Sequence, residues 1–310
     1  MEISLILLRE IAQLFLMMLM GYLVVRTDLL RPSDSRSISV IMVFLVTPCM
    51  IINAFQVEYT LQVQQGLLFA FALAIGAHVL FLLFAALLRR VLKLDVVEQG
   101  VVVYTNAGIL VVPLVQALLG ENYVIYSCAF LVVQQVLLWT HCRCMLCGER
   151  RIDWKKLVFN INILAIVVGG ILFLLHITLP QVLGETVATI GSMMGPLGMI
   201  LAGMVIAEMP LGKLFREKRH YLAVVLRLVI CPLLALAVLR VLGVAGWMAD
   251  GKNIVLTVYL ACITPACATV TSMAQLYEKN AAYSSALYVL STLLSILTMP
   301  VMVGLFDRLI

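Results

Sequence analysis

Apolar stretches of about 20 residues recur along the whole chain, and no other feature of the sequence limits the possible folds as strongly. A helix of that length crosses the hydrocarbon core of a bilayer. Because 64% of the 310 residues are hydrophobic and only 12% are charged, the chain has too little polar surface for a soluble domain. The stretches also lack the alternation of apolar and polar residues found in membrane β-barrel strands. The sequence therefore predicts an all-α membrane protein.

Ten transmembrane helices are predicted from these stretches, numbered here as spans 1 to 10. They are placed at Leu5–Val25, Ile38–Phe55, Gly66–Leu88, Val97–Leu119, Tyr123–Leu146, Leu157–Ile177, Val187–Ala207, Leu222–Leu242, Ile254–Leu276 and Ala281–Leu305. The spans leave no room for a separate soluble domain.

Basic residues are concentrated in alternate connections between the spans. Those of the odd-numbered connections are Arg26, Arg31, Arg36, Arg89, Arg90, Lys93, Arg143, Arg150, Arg151, Lys155, Lys156, Lys213, Arg216, Lys218, Arg219 and Lys279. The even-numbered connections are dominated by Glu58, Glu121 and Glu185. Because basic loops stay in the cytoplasm, we expect a multi-pass protein of the cell membrane with both termini extracytoplasmic. No basic stripe with interleaved aromatic residues is present, so we expect no nucleic-acid partner.

The basic stretch Gly148–Lys156 divides the spans into two sets of five. With an odd number of spans in each set, a homologous second set enters the membrane upside down. We therefore predict a first five-helix repeat at 1–147, a short cytoplasmic linker at 148–156 and a second, inverted repeat at 157–310.

The positions of prolines favour this repeat. Pro48 in span 2 corresponds to Pro196 in span 7, and Pro113 in span 4 corresponds to Pro265 in span 9. Each pair is offset by roughly 150 residues, the same shift that relates span 1 to span 6. The alternative is coincidence, since prolines are tolerated in membrane helices.

Spans 4 and 9 each carry a proline near the middle of the membrane. The missing N–H and the ring of Pro113 and Pro265 are expected to open these helices. Proline suits the first position of a helix, and Thr264 is a good N-cap for a helix that starts at Pro265. Two half-helices that start at the midplane would bring two positive dipole ends together, which favours a carboxylate ligand. The alternative is a pair of proline kinks without a binding role.

Polar and helix-opening residues near these breaks are the candidates for substrate binding. They are Asn106, Gly108, Pro113, Thr264, Pro265 and Thr269. Two mid-span amides, Asn53 in span 2 and Gln134 in span 5, join them. Each of these amides either contacts the substrate or bonds a neighbouring helix.

Two ionisable residues lie within spans, where a charge is costly. His78 in span 3 either couples transport to protons or donates a hydrogen bond to a backbone carbonyl. Arg227 in span 8 either extends to the membrane interface or attracts anions to the site.

Motifs for other classes of function are missing from the sequence. The cluster His141–Cys147 lacks the spacing of a metal site, and its cysteines are interpreted as reduced thiols. The sequence has no metalloprotease, serine hydrolase or P-loop motif, so no enzyme activity is expected. We predict no cofactor, and coupling to protons or sodium stays open.

The chain resembles the auxin efflux carrier family, which includes bacterial carboxylate carriers and plant PIN-formed auxin exporters. The resemblance is carried by Asn106-Ala107-Gly108 with Pro113 and then Leu119-Gly120-Glu121, by the stretch Arg227–Pro232, and by the proline in span 9. It covers essentially the whole chain. The short connection between the halves differs from the long loop of the plant members.

The resemblance implies a secondary transporter of a small organic anion: a mono- or dicarboxylate or an auxin-like acid. It implies an elevator mechanism in which spans 1, 2, 6 and 7 form a scaffold with a homodimer contact. Spans 3–5 and 8–10 would form the moving transport domain, with spans 4 and 9 crossing at their prolines. An anion channel or a membrane sensor of carboxylates is the alternative, because either can use broken helices.

Overall fold

The computed structural model describes residues 2–148, 159–208 and 216–310. Within these ranges every regular element is a helix, apart from one isolated antiparallel bridge between Thr105 and Ala266. The main helices are α1 (Glu2–Arg26), α2 (Ser35–Ala54), α3 (Leu61–Val91), α4a (Val96–Val103), α4b (Ala107–Leu119), α5 (Glu121–Cys147), α6 (Ile161–Leu174), α7 (Gln181–Ala207), α8 (Lys218–Leu242), α9a (Gly251–Ile263), α9b (Ala268–Leu276) and α10 (Ala281–Leu309).

The helices follow the predicted apolar stretches, and the all-helical class is confirmed. Six of them, α2, α3, α5, α7, α8 and α10, are long and apolar enough to cross a membrane. The apolar part of α1, Ile11–Arg26, and the apolar helices α4b, α6 and α9a are 10–17 residues long, so the total of ten spans stays a prediction. Most of the predicted linker, with Arg150, Arg151, Lys155 and Lys156, lies outside the described residues, as does Lys213.

Apolar side chains cover the outer surface, while many polar side chains are buried. Helix α3 exposes Leu68, Ile75, Leu83 and Leu87 at intervals that place them along one side. The buried polar residues include His78, Thr105, Asn106, Gln134, Arg227, Ser291, Thr292 and Ser295. This distribution suits an apolar solvent around the protein and a polar site within it.

Three helices contain a wide π-turn, at Met42–Val46 in α2, Leu138–Cys142 in α5 and Leu226–Ile230 in α8. In α2 and α8 a proline follows two residues later, Pro48 and Pro232. A proline ring clashes with the carbonyl four residues before it, and in both helices that carbonyl belongs to the π-turn. The widened turn therefore makes room for the proline without ending the helix.

Helices α1 and α7 cross with their backbones in contact. A Cβ atom added to Gly21 would overlap the backbone of Ile200, and one added to Gly203 would overlap the backbone of Met18. Glycines at both contact points permit this approach, as in other tightly packed membrane helices.

The remaining packing places the two broken helices at the centre. The end of α2 packs against α6 and the start of α7, and α3 packs against α5 and α9a. Helix α4b contacts α1 and α7 on one side and α5 and α9a on the other. The assignment of helices to a scaffold and a moving domain stays a prediction.

Candidate functional site

The two helix breaks pair with each other. Helix α4 is interrupted between Val103 and Ala107, and α9 between Ile263 and Ala268. The Asn106 N–H donates a hydrogen bond to the Pro265 carbonyl (2.8 Å), and the Cys267 N–H donates to the Tyr104 carbonyl (3.1 Å). Each break therefore satisfies backbone groups that the other has freed, as the interior of a membrane protein requires.

The expected role of Pro113 in the first break is wrong. Pro113 lies inside α4b, and the break comes before it, at residues 104–106. Its ring packs beside Gly195 of α7. One internal proline removes a single helical hydrogen bond, whereas a full break needs partners for several backbone groups. The backbone groups of residues 104–106 have such partners.

The expected capping role of Thr264 is also wrong. Thr264 is extended (φ −68°, ψ 155°) and ends α9a, and its hydroxyl donates to the Ala261 carbonyl behind it (2.9 Å). Helix α9b begins at Ala268 and not at Pro265. A residue before proline is pushed out of the helical conformation, so Pro265 stops the first half-helix and does not start the second.

Side chains from the neighbouring helices hold the two breaks open. The Gln134 Oε1 accepts from the Thr105 N–H (2.9 Å) and hydroxyl (3.1 Å), and its Nε2 donates to the Thr105 carbonyl (2.9 Å). In the other break, the Ala266 N–H donates to the Ser291 hydroxyl (3.1 Å). The Gln134 amide thus bonds a neighbouring helix, and it does so at the break itself.

Arg227 is completely buried behind the breaks. Its guanidinium donates to the carbonyls of Val102 (2.9 Å), Thr264 (3.1 Å) and Cys262. Its Cζ also lies 5.3 Å from the centre of the Phe81 ring. Arg227 therefore binds the negative ends of α4a and α9a, where helices leave unpaired carbonyls. It does not extend to the membrane interface.

A cavity of about 350 Å³ lies at the positive ends of the other two half-helices. Its walls include Asn106 and Gly108 at the start of α4b, and Ala268 and Thr269 at the start of α9b. The first turn of a helix has N–H groups without helical partners, and its dipole favours an anion. This volume and donor set suit a small anionic ligand.

Six predicted site residues do not line this cavity, namely Asn53, His78, Pro113, Arg227, Thr264 and Pro265, and two of them line other cavities. Asn53 lines a separate cavity of about 570 Å³ together with Glu58 and Glu121. His78 lines a third, apolar pocket; its Nδ1 donates to the Ala74 carbonyl (2.8 Å), and its Nε2 has no hydrogen-bond partner among the described residues. Neither residue is among those lining the cavity at the crossing.

The structure adds a polar residue that sequence reasoning missed. Asn162, at the start of α6, lines the cavity at the crossing and is 4% exposed. The available signal was a polar residue within a predicted span that is mostly apolar.

Comparison with known proteins identifies the family. The model of a family described as "Membrane transport protein", the auxin efflux carrier family, matches residues 6–151 and 149–303. No curated protein matches the chain. Because the two matches together cover most of the chain, the protein belongs to the auxin efflux carrier family of membrane transporters.

Proposed function

We propose that this protein is a secondary transporter that carries a small organic anion, a mono- or dicarboxylate or an auxin-like acid, by elevator-type alternating access. The observation that carries the proposal is the cavity at the starts of α4b and α9b, with Asn106 in its wall. Backbone N–H groups and an amide bind a carboxylate without a full charge in contact with it, so the anion can also leave.

Arg227 adds to the attraction of an anion from behind the crossing. No described carboxylate lies within ion-pair distance of its buried guanidinium. Its charge is offset by carbonyl dipoles only, and an anion in the cavity would provide further compensation. Arg227 is thus proposed to attract the substrate without touching it.

The similarity of the two breaks supports an inverted repeat. The paired residues Thr105 and Ala266 are about 160 residues apart and are each held by a polar side chain from the following helix, Gln134 or Ser291. This correspondence replaces the one drawn between Pro113 and Pro265. Secondary transporters built in this way place the substrate at the interface of their repeats.

The position of the cavity supports alternating access. With the predicted orientation, Ser39 of α2 and Trp139 of α5 line the cavity toward the cytoplasm. The separate cavity of Asn53, Glu58 and Glu121 lies toward the outside. We interpret this arrangement as an inward-facing state. The proposal also includes the scaffold of spans 1, 2, 6 and 7, the moving domain of spans 3–5 and 8–10, and a homodimer in the cell membrane.

Uptake into liposomes that contain the purified protein tests this function. Radiolabelled monocarboxylates and dicarboxylates should enter with saturable kinetics, and unlabelled acid inside should accelerate their entry. This acceleration, known as counterflow, requires a carrier that moves back across the membrane with an acid molecule bound. Single-channel current steps with unsaturated flux would identify an anion channel instead, and binding without flux would identify a sensor.

A further inference from the structure

An aromatic pocket of about 270 Å³ lies between the end of α2 and the end of α6. Phe55 and Tyr59, which follow α2, and Phe173 and His176, at the end of α6, form its aromatic walls. Among the described residues, none lines both this pocket and the cavity at the crossing. The aromatic pocket is therefore separate from the proposed substrate site.

The aromatic rings of the pocket are inclined to one another. The centre of the Tyr59 ring lies 5.2 Å from that of Phe173, at an angle of 54°, and 4.0 Å from that of His176, at 60°. The rings of Phe55 and Phe173 meet at 55°. Stacked rings would cover each other's faces, whereas inclined rings leave faces free as walls. The face of an aromatic ring is negative and attracts a cation.

The backbone holds His176 in this wall in a conformation that favours glycine. His176 has φ 58°, its N–H donates to the Phe173 carbonyl (3.2 Å), and the Ile177 N–H donates to the Leu172 carbonyl (2.8 Å). These two bonds form the Schellman motif that ends α6, and glycine is the usual residue at this position because it lacks a Cβ. Histidine in its place keeps a ring against Tyr59 that glycine would remove.

Two polar side chains complete the pocket. Glu58 is exposed and forms no ion pair with a described residue. The Gln56 Oε1 accepts from the Leu179 N–H (2.7 Å), which fixes the orientation of the amide, and its Nε2 is buried with no hydrogen-bond partner among the described residues. Gln56 lines both this pocket and the neighbouring cavity of Asn53. The pocket thus offers a negative charge and a free donor, which suit a cation that also carries an oxygen acceptor.

We propose that the aromatic pocket binds a trimethylammonium group whose molecule also carries an oxygen acceptor. The aromatic rings contact the methyl groups, the Glu58 carboxylate offsets the positive charge, and the Gln56 amide donates to the oxygen. A trimethylammonium group has no N–H that needs an acceptor, so aromatic walls suit it better than a primary ammonium group. Free choline-like compounds and the choline headgroup of a lipid share this chemistry. The site goes beyond the proposed function and does not depend on it.

Choline and its uncharged isostere 3,3-dimethylbutan-1-ol test the need for a positive charge. The full-length protein is titrated by calorimetry in a maltoside detergent, which contains no ammonium group, at pH 8, where exposed imidazole groups are neutral. Choline should bind at least about tenfold more tightly than the alcohol, which has the same shape but no cation–π attraction. Glycerophosphocholine is titrated in parallel. Tighter binding than choline would support a lipid headgroup as the source, and weaker binding would support a free cation.

Variants of the walls test the location of the site. Tyr59→Leu should lower choline affinity about tenfold or more, whereas Tyr59→Phe should retain most of it because the ring remains. Glu58→Gln should lower it about two- to fivefold, as expected for an exposed charge. Phe159→Leu is the matched control, since Phe159 is 76% exposed before the other end of α6, and it should leave choline affinity unchanged. Thermal unfolding checks that each variant is folded.

The comparison of ligands can overturn the proposal without any variant. Choline that binds no more tightly than the uncharged alcohol, or that does not bind, would reject the site. Equal choline affinity in the wild type and Tyr59→Leu would also reject it. Equal losses in Tyr59→Phe and Tyr59→Leu would mean that the hydrogen bond from the Tyr59 hydroxyl to Gln64, and not the ring, matters. None of these results bears on carboxylate transport, so the proposed function is tested separately.

Discussion

At the scale of single residues, the buried polar groups divide by what they contact. Gln134 and Arg227 bind backbone groups at the breaks, whereas Asn106 and Asn162 line the cavity. Gln134 does both, because it also borders the cavity. Substitution of a residue that binds the helix breaks should alter the stability of the protein. Substitution of a residue that lines the cavity should alter its affinity for the substrate.

Replacement of Arg227 tests its role at the helix ends. Arg227→Met should leave three buried carbonyls without donors and lower the free energy of unfolding by about 3 kcal/mol or more. Arg227→Lys should cost less, because an ammonium still donates but lacks the planar fork. Thermal unfolding in detergent measures both, with the exposed Arg26→Met as control. Wild-type stability in Arg227→Met would contradict the assignment.

Replacement of Asn106 tests the anion contact. Asn106→Ala should remove a hydrogen bond to a charged group, a loss of about 1.5–3 kcal/mol or roughly ten- to hundredfold in carboxylate affinity. Titration of the purified protein with its transported acid measures the effect. Asn53→Ala is the matched control, since Asn53 lines the other cavity. Unchanged affinity in Asn106→Ala would exclude this residue from the site.

At the scale of helices, the break in α4 does not depend on a proline. It is held by the bridge to α9, by Gln134 and by Arg227. The break in α9 has the same kind of support and, in addition, the local effect of Pro265 on Thr264. The two prolines that look equivalent in sequence therefore act differently.

This difference predicts unequal effects of the two proline variants. Pro113→Ala should restore one hydrogen bond inside α4b and leave carboxylate affinity unchanged. Pro265→Ala should let the chain after α9a become helical, and carboxylate affinity should fall because the start of α9b shifts. Titration of both purified variants measures this. Equal effects, or a larger effect of Pro113→Ala, would contradict the observed position of the break.

At the scale of the whole molecule, hydrogen bonds join different connections at each end of the helices. The Leu179 N–H donates to the Gln56 side chain (2.7 Å), which joins the connections near Glu58 and Glu185. At the other end, Arg219 bonds the buried Glu98 and the Lys93 carbonyl. The charges of the connections predict which end faces the cytoplasm, and this orientation stays a prediction.

Thiol labelling measures that orientation. After replacement of the eight native cysteines, a cysteine at Glu58 or Glu185 should react with an impermeant reagent applied to intact cells. A cysteine at Lys218 should react only after the membrane is opened. All three positions are exposed, so access to the reagent depends on the side of the membrane. The reverse pattern would overturn the extracytoplasmic termini and the inverted repeat.

The sequence by itself determined the helical class, the position of each apolar segment and the family. These properties depend on the length of each apolar segment and on motifs within a single segment. Both can be recognised in the local sequence without a structure. Of the eight residues that it predicted for one substrate site, Asn106, Gly108, Gln134 and Thr269 line one cavity, and binding of the substrate there stays a prediction. Polar residues inside apolar helices are costly unless they have partners, so their positions are informative without a structure.

Only the tertiary structure decided where α4 breaks and which other residues reach the cavity. The partners that stabilise the break at 104–106, such as Pro265 and Arg227, lie more than a hundred residues away in the chain, so no local pattern could reveal them. The same folding brings Asn162 to the cavity and leaves Asn53 in another. A backbone group inside a membrane must find a partner, and the fold determines which partner is within reach.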